Sequence, residues 1–156
     1  MADTSKAHTA AEKHVVQHVL PELFGQTFSP AKLKLTWGGY FAYDGVSADH
    51  SIIVCVSTSE GVTSSGNYAT AKVMKLAKDV LMMLHTPVAQ LRVLALTEKS
   101  MLEAVERMQA LGRFPPPSEI KAIHTPLMPE LQRDVEAVRV HARAEVTPST
   151  NLKASQ

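Results

Sequence analysis

Several residues in this chain have the types and spacing that chemistry requires. Asp44 and Asp49 follow a short aromatic run, Tyr40, Phe41 and Tyr43. Carboxylates of this kind suit Mg²⁺, which is usually held by one or two of them plus substrate phosphate. Asp44-Gly45 and Ala48-Asp49 also suit turns, because Asp bonds its own backbone there. Further on, Ser57-Thr58-Ser59 and Thr63-Ser64-Ser65-Gly66-Asn67 form a hydroxyl-rich loop between a strand end and a helix start. Free backbone N–H groups and the helix dipole can seat an anion at such a place, with Thr58, Ser64, Ser65 and Gly66 as the donors. The alternative is a plain polar loop, and the Walker spacing is missing. Lys72, Lys75 and Lys78 follow on the next helix, and Lys75 adds positive charge to the same phosphate seat. Their alternative is a solvated helix face, with Lys75 paired to Asp79 at i, i+4. His14 and His18 share an i, i+4 spacing able to grip a metal, with Glu12 one turn away. The sequence names no third ligand, so a solvated face is the competing reading. Cys55 lies inside an apolar run and reads as a small buried hydrophobe, without a base to activate it. No Gly-x-Ser-x-Gly elbow occurs.

Hydrophobic spacing says which elements must carry these residues. Val15, Val16, Val19, Leu20 and Leu23 predict a helix over 8–24 that stops at Gly25, with Thr9 and Glu12 as a capping box. Pro21 lies inside that span and predicts a kink or an early end. Leu33, Leu35 and Trp37 alternate as a half-buried strand, and Gly38-Gly39 predicts a turn or bulge. Tyr40 to Tyr43 predicts a second strand ending near Asp44-Gly45. Ile52 to Ser57 reads as a central strand covered on both faces. Val73, Leu76, Ala77, Val80, Leu81 and Leu84 give the clearest helical stripe. Leu91–Leu96 is a strand, and Ser100 with Glu103 predicts a capped helix running to Gly112. Ile120–Thr125 is a short strand, and Pro129 suits the first position of a last helix. The order is α-β-β-β-α-β-α-β-α. It predicts the α/β (α+β) class: a mixed central sheet, an antiparallel three-strand meander followed by parallel strands, with helices on both faces.

Composition bounds the function. The 156 residues suit one domain, with a core over about 8–146 and frayed ends at 1–7 and 147–156. Lys plus Arg total 16 and Asp plus Glu 15, a net charge of +1, which argues against a strongly basic non-specific nucleic-acid binder. A single cysteine excludes an internal disulfide and a Cys-based zinc cluster. Aromatics are only 5%, so nucleic acid would be held by its backbone rather than by stacked bases. Met1 to Ala11 lacks an apolar signal core, and the longest apolar run, Ile52–Val56, is too short to span a bilayer. A cytoplasmic protein without membrane contact is expected. Met82 and Met83 cannot share one narrow stripe, which points to a partner helix and a homodimer.

A helix, a three-strand meander, a helix and a parallel strand resembles the core order of the restriction-endonuclease-like nucleases, the PD-(D/E)XK superfamily. The resemblance spans roughly residues 8–125. It implies an Asp at the end of the second strand and an acid-x-Lys pair on the third, the acids holding Mg²⁺ and the Lys stabilising charge. Asp44 stands at the first of these positions. The acid and Lys positions fall on Cys55 and Ser57 or on Ser57 and Ser59, so the motif is degenerate at its most diagnostic part. The resemblance then implies Asp44 as metal ligand, Ser57 or Ser59 orienting water or phosphate, and Lys72 as a displaced catalytic lysine. It also implies an extra acid on the first helix, where Glu12 lies. Asp44-Gly45-Val46-Ser47, Ser57-Thr58-Ser59 and the Lys-bearing helix are similar, too, to an uncharacterised group of bacterial proteins with no assigned activity. The expected function is binding of DNA or another phosphate-bearing ligand, with weak Mg²⁺-dependent phosphodiester cleavage at most. The alternative is a non-enzymatic homo-oligomeric interaction or regulatory domain.

Overall fold

The computed structural model describes residues 4–146. Its first helical run joins α1 (Thr4–His14), a π turn (Val15–Val19) and α2 (Leu20–Phe24). Pro21 accounts for the π turn. In a regular helix its ring would strike the carbonyl of Gln17, four residues back. The helix widens instead, and Leu20 N–H reaches back five residues to the Val15 carbonyl. Gly25, at φ 68°, ends the run in a left-handed conformation. The helix begins at Thr4, so Thr9 and Glu12 lie inside it and do not form its cap. Residues 4–7 are helical, and the rest of the ends expected to fray, 1–3 and 147–156, lies outside the described residues.

Three strands form the antiparallel meander: β1 (Phe28–Lys34), β2 (Tyr40–Ser47) and β3 (Ile52–Ser57). Then come α3 (Thr70–Leu84), β4 (Leu91–Leu96), α4 (Lys99–Ala110), β5 (Lys121–His124) and α5 (Pro129–Val146). β4 and β5 add in parallel, and the sheet order is β1-β2-β3-β4-β5. The mixed sheet of the α+β class is therefore present as expected. Trp37 is not on a strand. It sits in the β1–β2 turn, 54% exposed, with its ring 4.3 Å from that of His85. Nor does Ser100 cap α4, which starts one residue earlier; its hydroxyl accepts the Gly61 N–H at 3.0 Å.

Two apolar clusters hold the layers together. On one face, Ile53, Cys55, Leu94 and Leu96 of the sheet meet Val73, Leu76 and Val80 of α3 and Met101 and Val105 of α4. On the other, Ile52, Val54, Val93 and Ala95 meet Val15, Val16 and Leu20 of the first helical run. β3 and β4 feed both clusters, which is why their sequences run apolar without alternation. Arg139 of α5 ties the layers at the carboxyl ends of the strands. Its guanidinium donates to the Thr58 carbonyl and to Glu98 at 2.8 Å, and Glu60 lies 3.7 Å away. Among the described residues, no helix is long and apolar enough to cross a membrane.

Candidate functional site

The second strand does not end at Asp44. It runs on to Ser47, and Asp44 occupies a bulge within it. Ser29 pairs with Val46 and Ala31 with Tyr43, so Asp44 and Gly45 together oppose Pro30 alone. Pro30 has no N–H to give a ladder, which suits it to that place. The bulge leaves the β3 backbone short of a partner, and the Asp44 carboxylate supplies one, accepting the Val56 N–H at 2.8 Å. Gly45 beside it is closely packed: a Cβ there would lie 3.3 Å from a Leu20 side-chain methyl, which would have to shift slightly to admit it.

The bulge turns Asp44 toward a cavity of about 350 Å³ between α1 and the β1–β2 pair. Glu12 and Lys13 of α1, Thr9, Gln17, Ser29 and Asp44 supply its polar lining, and Val16, Phe28 and Tyr43 contribute to its apolar walls. Burial raises the pKa of Glu12, and the nearby Asp44 raises it further. Burial likewise raises Asp44, opposed by its hydrogen bond from Val56. Asp79 of α3 is raised by burial and then by Asp44. Burial is thus the main cause for all three acids, and the charge of Asp44 adds to it at Glu12 and Asp79. Lys13 was not singled out by the sequence, because nothing in its spacing separates it from any solvated helix lysine. Gln17 and Ser29 were equally invisible.

The other expected site residues are dispersed. Ile53 and Cys55 point to the α3–α4 face, so Ser57, two residues on, stands on that face too. The cavity lies on the opposite face, and neither Ser57, Ser59 nor Lys72 lines it. The Ser57 hydroxyl accepts the Ser59 N–H at 3.3 Å, a local turn contact. Thr58 is buried and bonded to His8 of α1 at 2.6 Å. The Thr63–Asn67 turn spends its donors on itself: Gly66 N–H meets the Thr63 carbonyl at 2.9 Å, and the Thr63 and Ser65 hydroxyls meet at 2.9 Å. Ser64 is exposed in that turn, and Lys75 is exposed on α3. Thr58 and the Thr63, Ser65 and Gly66 groups thus already have partners within the fold. Asp79 feels Lys78 rather than an i, i+4 partner at Lys75. Asp49 belongs to the β2–β3 turn, where its carboxylate accepts from Ser51 N–H at 3.0 Å and from the Ser47 and Ser51 hydroxyls. Those bonds hold its pKa far below the ordinary range. Cys55 is buried, and burial pushes its thiol well up, which suits packing rather than nucleophilic attack.

The cavity's donors are carboxylate, hydroxyl and amide oxygens, the hard set that Mg²⁺ and Mn²⁺ take. Among the described residues, no three or more His, Cys, Asp or Glu are grouped to hold a metal ion by themselves. Two carboxylates are still enough for an ion that keeps waters and takes the rest of its shell from a ligand. Compared with protein-family models, with curated proteins and with solved structures, the chain matches none.

Proposed function

We propose that this chain binds a phosphate-bearing ligand, nucleic acid foremost, in the Glu12–Asp44 cavity with the help of a divalent cation. One observation carries the reading: acids from α1 and from the β2 bulge face a single cavity and are both held above their ordinary pKa. A dication relieves the repulsion of two such carboxylates and leaves positions open for phosphate oxygens. Lys13, on the same lining, adds a point charge for the phosphate. At about 350 Å³ the cavity is at the small end of ligand pockets, roughly 300–1,000 Å³, and fits a single phosphate-bearing unit rather than the width of a duplex. The element order, like that of the restriction-endonuclease-like nucleases, supports the nucleic-acid class. With Cys55 and Ser57, or Ser57 and Ser59, where those enzymes carry an acid and a lysine, the reading is binding, with phosphodiester cleavage weak at most.

The test is binding of a short labelled duplex DNA and its single strands, at low and moderate salt, in chelator and in Mg²⁺ or Mn²⁺. Cation-enhanced, salt-sensitive binding, weakened in Glu12→Gln, Asp44→Asn and Lys13→Ala but not in Lys72→Ala, is the expected result. Equal behaviour of all variants, or indifference to the cation, would overturn the proposal. A second reading, a homodimer through α3, is favoured by one feature. Met74 and Leu81, seven residues apart on that helix, are 57% and 48% exposed. Light scattering on the eluting protein distinguishes monomer from dimer, and the substitutions Met74→Glu and Leu81→Glu would dissociate such a dimer.

A further inference from the structure

We infer that His14 and His18 form a two-imidazole site for a borderline transition-metal ion of the zinc, nickel or copper class, separate from the carboxylate cavity. The residues are one turn apart, and their ring centres lie 5.3 Å from each other with planes tilted by 36°. Two imidazoles on one tetrahedral ion, with metal–nitrogen distances of about 2.0–2.1 Å, place their ring centres about 5 Å apart. The rings therefore already stand at nearly the separation that a shared ion demands.

The backbone explains why. His14 is the last residue of α1 and His18 lies within the π turn that Pro21 imposes. The wider turn changes the angle between positions four apart, and the two rings come into contact along the outer side of the helix. Single π turns of this kind recur at functional sites. His14 is half-buried and His18 exposed, so an ion reaches the pair from solvent. Among the described residues, no third His, Cys, Asp or Glu joins them in a metal-holding group. The remaining positions fall to water, and the bound ion is exchangeable.

Donor chemistry separates this site from the cavity. Imidazole selects zinc, nickel and copper, whereas the oxygens around Glu12 and Asp44 select magnesium and manganese. Val16 and Gln17, which line the cavity, lie between the two histidines in sequence. An ion on the pair therefore clamps the turn that carries one wall of the cavity.

The experiment is a Zn²⁺ titration of the full chain, followed by the imidazole ring signals of its histidines. His14 and His18 should shift together, with one midpoint, while the other five histidines stay unmoved in that step. His14→Gln and His18→Gln should each weaken Zn²⁺ binding by about tenfold or more, because the second ring acts at high effective concentration. Glu12→Gln and Asp44→Asn should leave it unchanged, and circular dichroism should find the helix content of all variants alike. Separate midpoints for the two rings, or undiminished affinity in His18→Gln, would overturn the inference. Neither result bears on whether the carboxylate cavity binds Mn²⁺.

Discussion

Asp44 is tied into the backbone and into the cavity at once. One oxygen takes the Val56 N–H, and the group opens on the space it shares with Glu12. Asp44→Ala leaves that N–H without its partner and should cost about 1–3 kcal/mol in urea unfolding. Asp44→Asn keeps an acceptor and should cost clearly less, which makes it the better probe of function. The pH dependence follows from the raised pKa values of Glu12, Asp44 and Asp79. A carboxyl whose pKa is higher folded than unfolded keeps its proton longer in the native state. Its contribution to stability is most favourable at acid pH. That contribution falls as pH rises from the ordinary carboxyl range through the raised value. Urea midpoints over that window should decline in the wild type and decline less in Asp44→Asn. A divalent cation at neutral pH should offset the loss. Asp49 acts in the opposite sense: its depressed pKa contributes stability at neutral pH that is lost in strong acid. Of these residues the sequence singled out Asp44 and Asp49 as candidate carboxylates, and Glu12 both beside His14 and His18 and through the resemblance. It offered nothing for Lys13, because a cavity-lining lysine and a solvated one have the same spacing.

At the scale of elements, legibility tracked burial. β3 and β4 occupy Ile52–Ser57 and Leu91–Leu96, as their unbroken apolar runs predict, because both faces of each strand are covered. β1 was harder to read. It begins at Phe28 rather than near Leu33, and its first half, Ser29 to Lys32, is mostly exposed at the sheet edge. An edge strand of that kind has little alternation to offer. Asp44-Gly45 misled for a different reason: the same dipeptide serves a turn and a bulge, and only the register opposite Pro30 separates them. Ser100-x-x-Glu103 has a capping-box pattern, yet Ser100 is spent on the Gly61 N–H. That contact makes Gly61 a sharp test of the α3–α4 layer. A Cβ on Gly61 would lie 2.1 Å from the Ser100 carbonyl oxygen and 2.7 Å from the Met101 Cα, both backbone atoms unable to swing aside. Gly61→Ala should cost about 3 kcal/mol or more and lower the melting temperature clearly. Gly66→Ala, in the open Thr63–Asn67 turn, is the control. It is strained only by its own φ of 81° and should cost about 1 kcal/mol.

On the scale of the whole molecule, the layers are coupled at the carboxyl ends of the parallel strands. Arg139 connects α5 to the end of β3 and to Glu98 before α4, and His8 connects α1 to the same end through Thr58. The Arg139 and Glu98 side chains are only 13% and 15% exposed. Removing Arg139 leaves the partly buried Glu98 without its cation, whereas Glu60 keeps Arg143 at 2.6 Å, so Arg139→Ala should cost about 3 kcal/mol, read as a fall in melting temperature. α1 also carries Glu12, one turn beyond His8, so the packing that fixes α1 on the sheet fixes the acid over Asp44. The chain as a whole is nearly neutral, at +1. Any hold on nucleic acid must therefore come from a local arrangement, and the Glu12–Asp44 cavity with its cation supplies one.

The most direct measurement is Mn²⁺ binding at neutral pH, by electron paramagnetic resonance, for the wild type, Glu12→Gln and Asp44→Asn. A site at this cavity predicts binding by the wild type, a loss of about tenfold or more in each variant, and tightening when a phosphodiester is added. Equal Mn²⁺ binding by all three proteins, or none by the wild type, would contradict the account and return Asp44 to a purely structural role as the cap of a bulge.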